Sequence, residues 1–313
     1  MNLINMKVAT LAKTVIPSVF LAFSGANVMA ASDDPGSISV VKKPSEKEEV
    51  QPLTIEDMEK AQPVEMPVLP PLSDEELQEI EEQQLDEVDK FTIEPVLSNY
   101  GKVRKADVTK NPYRKAGKLW IKKKGVWYTC TAQFVGKSDI VLTAAHCLEN
   151  KGDNVDAEDV QFYRAYKSGA SYDQYNWKCY VHWSGWHGNN NPYRWDYAFV
   201  KVDKNSSAGA MGLKGGVPYG EWESVGYPDN FFGGKEMAVV RGKKGWVKDG
   251  VAQMKHNPMT FGASGGGWIG ESKYAISVNS HLRGDANTSK ELYGSVFDKN
   301  TTKLYEAAQK CDQ

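Results

Sequence analysis

From about Asn111 onward the sequence is a succession of short runs in which apolar and polar residues alternate, each closed by turn-forming residues. A period of two sends alternate side chains to opposite faces, so a chain written this way folds by pairing strands. Gly117 to Lys122 and Val126 to Val135 read as two strands about the turn Lys124-Gly125, with Trp127, Thr129 and Thr131 alternating along the second. Further strands are expected at Ile140 to Ala144, Val160 to Ala165, Tyr197 to Val202, Glu223 to Gly226, Met237 to Gly242, Trp246 to Lys248, Gly267 to Ile269 and Tyr274 to Val278. Helical spacing returns in the last segment, where Asn300 or Thr301 would cap a helix carrying Leu304, Tyr305, Ala307 and Ala308. The pattern predicts an all-β body with a terminal helix.

What precedes this body has a different composition. Lys7 and Lys13, an apolar stretch from Val15 to Phe23 and small residues ending at Ala30 have the order of an export signal over residues 1–30, too short in its apolar part to span a bilayer. Residues 32–94 then hold roughly 19 acids against 5 bases, whereas residues 95–313 hold roughly 31 bases against 21 acids, so the formal net charge of -2 hides an acidic segment joined to a basic body. Residues 31–104 lack Cys and Trp and carry the proline-laced run from Gln62 to Pro71, a composition that predicts a largely disordered acidic propeptide or linker. One helix is expected within it, because Ser73 and Glu76 form a capping box ahead of Leu77, Ile80, Leu85 and Val88. The basic stretch Lys102-Val103-Arg104-Lys105 is the expected junction with the domain 105–313.

Three stretches of the body carry chemistry. His146, in Thr143-Ala144-Ala145-His146-Cys147, ends an apolar run and has the titration range of a general base; a satisfied core histidine is the alternative. Asp196 opens the apolar run Tyr197 to Val202, where it would either orient an imidazole or face water in a turn. Ser264 lies in Gly262-Ala263-Ser264-Gly265-Gly266, which is either a flexible loop or a tight turn whose Gly262 and Ser264 N–H groups converge on an oxyanion. Their order, His then Asp then Ser, is that of a chymotrypsin-type triad.

On these motifs, with weaker matches at Pro112 to Leu119, Val225 to Pro228 and Ser277 to Ser280, the body from about residue 108 resembles the trypsin-like (chymotrypsin-fold) serine endopeptidases, more closely their bacterial V8-like, glutamyl-endopeptidase-like branch. The resemblance implies a double six-stranded antiparallel β-barrel with a C-terminal helix. It implies His146 as base, Asp196 as its orienter, Ser264 as nucleophile, Gly262 and Ser264 as oxyanion donors, and hydrolysis of peptide bonds through an acyl-enzyme. It also implies a disulfide between Cys130 and Cys147, which leaves Cys179 and Cys311 to each other. Two positions depart from trypsins: Ala263 replaces the aspartate that receives a new N-terminus, and Pro258 replaces the acid of a basic-residue pocket. Thr260, Ser277, Ser280 and His281 are the expected pocket residues, with a Glu-directed pocket around His281 or a solvent-facing His281 both open.

The expected protein is therefore a monomeric, secreted or periplasmic serine endopeptidase made as a precursor, with protein or peptide as substrate and without cofactor, nucleic acid or, once the signal is removed, membrane. The rival reading is a catalytically silent homologue serving as a binding module. Cys179, His182 and His187 are close enough to suggest zinc, but no fourth ligand is apparent and the cysteine count favours disulfides, so no metal is expected. Trp177, Trp183, Trp186, Tyr193 and Trp195 read as core or as an aromatic wall beside the cleft.

Overall fold

The computed structural model describes residues 34–44, 53–85, 99–151, 156–188 and 190–313. The export signal and the disorder expected for the remainder of the acidic segment lie outside the described residues. Where that segment is described it has no core of its own and takes its partners from the body. Strand β1 (Ile38–Lys42) is followed by helix α1 (Ile55–Lys60), the two-residue strands β2 (Gln62–Pro63) and β3 (Val68–Leu69), and helix α2 (Asp74–Leu85). Ser73 caps α2 as expected: its N–H donates to Glu76 Oε2 at 2.8 Å and the Glu76 N–H to its hydroxyl at 3.2 Å. Thr54 and Asp57 cap α1 in the same way.

The basic stretch expected at the junction is itself strand β4 (Arg104–Lys105), paired to the body's second sheet. Ion pairs to Glu223 at 2.7 Å and Glu236 at 2.6 Å hold its two side chains. A stretch paired along its backbone is a poor protease substrate, and Arg104–Lys105 is such a stretch.

The first half of the body comprises β5 (Ala116–Lys123), β6 (Val126–Phe134), β7 (Ile140–Thr143), helix α3 (Ala145–Leu148), β8 (Asp159–Arg164), β9 (Asp173–Trp183) and β10 (Ala198–Val202). Lys124 and Gly125 both have positive φ, the backbone that a two-residue hairpin turn requires. The six strands pair antiparallel in the order β9-β10-β7-β6-β5-β8, and β8 pairs back with β9 to close a barrel. Phe134, Phe162 and Tyr175 meet edge to face inside it, with Phe134 centroids 5.2 and 4.9 Å from the other two. β1 adds antiparallel to the C-terminal half of β9, Ile38 opposite Trp183 and Lys42 opposite Cys179.

The second half comprises β11 (Gly212–Leu213), β12 (Glu221–Gly226), β13 (Ala238–Lys248), β14 (Val251–Lys255), β15 (Gly267–Gly270), β16 (Tyr274–Val278), β17 (Leu282–Arg283), β18 (Glu291–Ser295) and helix α4 (Lys299–Lys310). Its sheet runs β11-β16-β15-β12-β13-β14-β18, and its ends meet where the Ser277 hydroxyl donates to the Ser295 carbonyl at 2.8 Å. Two strands expected at Met237 to Gly242 and Trp246 to Lys248 are one, β13, with an irregular register between Lys244 and Val247. The cap of α4 is Asp298, whose carboxylate accepts from the Asn300 N–H at 2.7 Å, in place of the expected Asn300 or Thr301. Leu304 and Ala308 turn the buried face of α4 toward β9 and β10. Disulfides join Cys130 to Cys147 and Cys179 to Cys311. Among the described residues no helix is long and apolar enough to cross a membrane.

Candidate active site

Strand β7 delivers its chain directly into the single turn of α3, and the disulfide from Cys147 to β6 fixes that turn to the barrel. His146 is thereby placed over Asp196, which leads into β10, the neighbour of β7. The His146 N–H donates to Asp196 Oδ1 at 2.9 Å, and its Nδ1 lies 2.8 Å from Oδ2. Because a carboxylate only accepts, Nδ1 carries the proton and Nε2 presents its lone pair. Ser280 adds a third donor, its hydroxyl 2.5 Å from Asp196 Oδ2. Burial pushes the fully buried Asp196 carboxyl up, but the imidazole, the hydroxyl and the backbone N–H together hold it below its ordinary value.

The serine is set by contacts between the two halves of the body. Thr131 on β6 donates its N–H to the Ser264 carbonyl at 2.8 Å and its hydroxyl to the Gly262 carbonyl at 2.9 Å. Gln133, two residues on and on the same face, donates to the Gly265 carbonyl at 3.0 Å and accepts the Gly267 N–H at 2.7 Å. Asn279 takes up the Ala263 carbonyl at 2.9 Å. Gly262 and Gly265 both have positive φ, and a Cβ at Gly265 would fall 2.5 Å from the Thr131 carbonyl oxygen and 2.8 Å from the Ala144 nitrogen. The glycine turn is thus pressed against the approach to His146, and His146 Nε2 and Ser264 Oγ are the two buried groups of the site not bonded to another group.

A cleft of about 860 Å³ opens over His146, Trp186, Tyr193 and Phe261, and one wall of it is the acidic segment: Gln62, Pro63, Val64, Glu65 and Pro67. β2 pairs in parallel with β6, the Val64 N–H reaches the Thr129 carbonyl at 2.9 Å, and β3 pairs in parallel with β17. Between these anchor points the Val64 carbonyl accepts the Gly262 N–H at 3.3 Å, and Met66, 2% exposed, packs with Met259, Ala263, Leu282, Leu292, Ala238 and Val240. This apolar cluster, which includes Ala263 next to the serine, has no counterpart among the residues expected from the sequence. A signal for its occupant exists, since Pro63 and Pro67 hold the residues between them extended.

The expected pocket residues fall elsewhere. Ser280 faces Asp196, and Ser277 bridges the ends of the second sheet. The Thr260 N–H is held by the Asn230 side chain. His281 is buried, its ring stacked on Tyr293 at 5.2 Å and tilted against Tyr193 at 4.5 Å. Burial pushes it down to about 3, so it is neutral and neither faces solvent nor offers a cation to a glutamate. Of the aromatic cluster, Trp183 and Trp195 are core, whereas Trp186 and Tyr193 line the cleft.

With this geometry in place, the comparisons with known proteins are specific. A closed barrel and a second sheet meeting at a His, an Asp and a Ser are the chymotrypsin fold. Residues 130–276 match the model of the trypsin-like peptidase domain. Among solved structures, the protease Anisep from Arthrobacter nicotinovorans is 27% identical, with a TM-score of 0.55 over 64% of this chain and 97% of that one. A thermostable serine protease, AL20, from an extremophilic microorganism is 23% identical, with a TM-score of 0.56 over 63% and 98%. A Glu endopeptidase shares the fold at 17% identity, with a TM-score of 0.58 over 66% and 96%. No curated protein sequence matches the chain.

Proposed function

We propose that this protein is a serine endopeptidase, exported and held as a precursor by its acidic segment. The observation that carries the reading is the buried, triply bonded Asp196 presenting His146 with Nδ1 protonated, beside a serine on a glycine turn. In the reaction the Ser264 Oγ attacks the scissile carbonyl carbon while His146 Nε2 takes the hydroxyl proton. The oxyanion settles on the Gly262 and Ser264 N–H groups, a type of contact worth about 10²–10³ in rate per donor. His146 then gives its proton to the leaving nitrogen as the C–N bond breaks. A water repeats the sequence on the acyl-enzyme, returning the proton to Ser264. Asp196 stays ionised throughout and keeps the imidazole in its productive tautomer.

Two further parts of the reading rest on the segment. A backbone carbonyl at Val64 occupies one of the two oxyanion donors, and Met66 fills the adjacent pocket, which is the arrangement of an internal blocker. The side chains around Met66 are apolar, so the preferred substrate residue is apolar and not β-branched, like methionine or leucine. Export is supported by the two disulfides, which persist in oxidising compartments.

The test compares protein beginning at Asn99, the full-length chain and Ser264→Ala on casein and a mixed peptide library. The short form should be active and the full-length form much less so, with Ser264→Ala reduced by about 10⁶. Hydrolysis unaffected by Ser264→Ala, or a serine-directed phosphonate that labels nothing, would refute the assignment. Equal activity of the short and full-length forms would remove the blocker.

A further inference from the structure

Three side chains outside the triad converge in a way that neither the fold nor the proposed reaction requires. Glu149 immediately follows α3, His182 is near the end of β9, and His187 ends the short 3₁₀ turn Ser184–His187. Glu149 Oε2 lies 2.5 Å from His182 Nε2, and Oε1 lies 3.0 Å from His187 Nε2. One ligand atom from each of the three falls within 4.8 Å of the others. Glu149 is 8% exposed and His182 1%.

The protonation chemistry at this meeting point is constrained. His182 Nδ1 is 3.1 Å from the Trp183 carbonyl oxygen, a group that only accepts, so Nδ1 carries the hydrogen. In the neutral ring Nε2 then presents a lone pair to a carboxylate oxygen. Glu149 Oε2, His182 Nε2 and both ring nitrogens of His187 lack a directed hydrogen bond despite these separations. Something electropositive belongs at the centre.

We propose that Glu149, His182 and His187 bind a divalent transition-metal ion of the zinc class. Two imidazole nitrogens and one carboxylate oxygen are a donor set that suits such an ion, and three protein ligands leave a position for water. The carbonyl behind His182 is the partner that commonly fixes the tautomer of a ligating histidine. Cys179, which stands near these histidines in sequence, is taken by its disulfide, and the third ligand comes instead from 33 residues before His182.

An ion here ties the turn Ser184–His187 to the helix that carries His146. Trp186 of that turn donates its ring N–H to the Glu149 carbonyl at 3.4 Å, and its ring centroid lies 6.3 Å from that of His146. The ion would act as a positioning element for one wall of the cleft, without touching the reacting atoms.

The test uses full-length Ser264→Ala protein, which cannot digest itself, freed of metal by chelator. Zinc titrated calorimetrically should saturate at one ion per chain, cobalt should give the visible absorption of a low-coordinate site, and zinc should raise the Tm. Glu149→Gln and His187→Ala, each shown folded by circular dichroism, should each weaken zinc binding by about 100-fold or more. His256→Ala, which alters a histidine stacked on Tyr100 far from these ligands in sequence, should leave it unchanged. No uptake of either metal, or uptake that survives both ligand substitutions, would overturn the proposal and leave a cluster held by protons.

Discussion

Asp196 has no exposed surface and accepts hydrogen bonds from the His146 N–H, the His146 ring and the Ser280 hydroxyl. A buried carboxylate held below its ordinary value favours the folded state above that value, and the contribution is lost as pH falls through the lowered one. Asp196→Asn, measured by urea unfolding in the Ser264→Ala background, should therefore differ most from its parent above the ordinary carboxylate range and converge with it as pH falls below that range. In the active form Asp196→Asn should lower kcat by about 10⁴, because the amide no longer holds the reactive tautomer. His146, Asp196 and Ser264 were legible in the sequence because each lies within a recognisable local motif. Ser280 was noticed but assigned to the pocket, since its role arises from a contact 84 residues away. Glu149 was not noticed at all, because an acid after a short helical turn carries no local signal until the histidines are brought to it.

Strand β9 was the largest element missed, although Tyr175, Trp177, Cys179, Val181 and Trp183 alternate along it. Its second half is buried on both faces, between β1 and β10 within the sheet and under α4, so the polar partners that reveal a half-exposed strand are missing. β14 and β18 escaped for a related reason, being buried along most of their length. At this scale the disulfide from β9 to Cys311, just beyond α4, closes a loop of 132 residues, against 17 for that from β6 to α3. Loop-closure entropy predicts about 4–5 kcal/mol for the longer and about 3 kcal/mol for the shorter. The pair Cys179→Ser and Cys311→Ser should therefore lower the denaturation midpoint at least as much as Cys130→Ser with Cys147→Ser. Met66 offers a separate test of the segment. Met66→Asp places an unpaired charge in the apolar pocket, and should raise the activity of full-length protein at least tenfold while leaving a form that begins at Asn99 untouched.

The solved relatives are covered almost completely by about two thirds of this chain, so the additional third is what distinguishes the molecule. The segment and the body carry opposite net charges, but the contacts between them are of another kind. The ion pair from Lys248 to Glu79 joins a partly exposed and an exposed side chain, whereas β1 and β2 add to the body's first sheet, β3 pairs with β17, and Met66 and Ile80 are buried against the body. Exposed pairs contribute little and are screened, while strand pairing and apolar burial are not. Inhibition of the processed form by a peptide spanning Leu53 to Leu85 should therefore change by less than about threefold between about 0.05 and 0.5 M salt. Charge composition marked the segment off from the body, yet carried no information about the strand edges it would find.

The strand β1 has a consequence for timing. It is held on the far edge of β9, at a distance along the chain from the residues that fill the cleft, and a cut upstream of β4 severs neither set of contacts. On the precursor reading proposed above, maturation would consist of two events, a covalent one that makes departure possible and a dissociation that makes the enzyme available. The lag between them is an intrinsic clock: once cutting is fast, adding more of the maturing protease should leave it unchanged, and dilution should not shorten it.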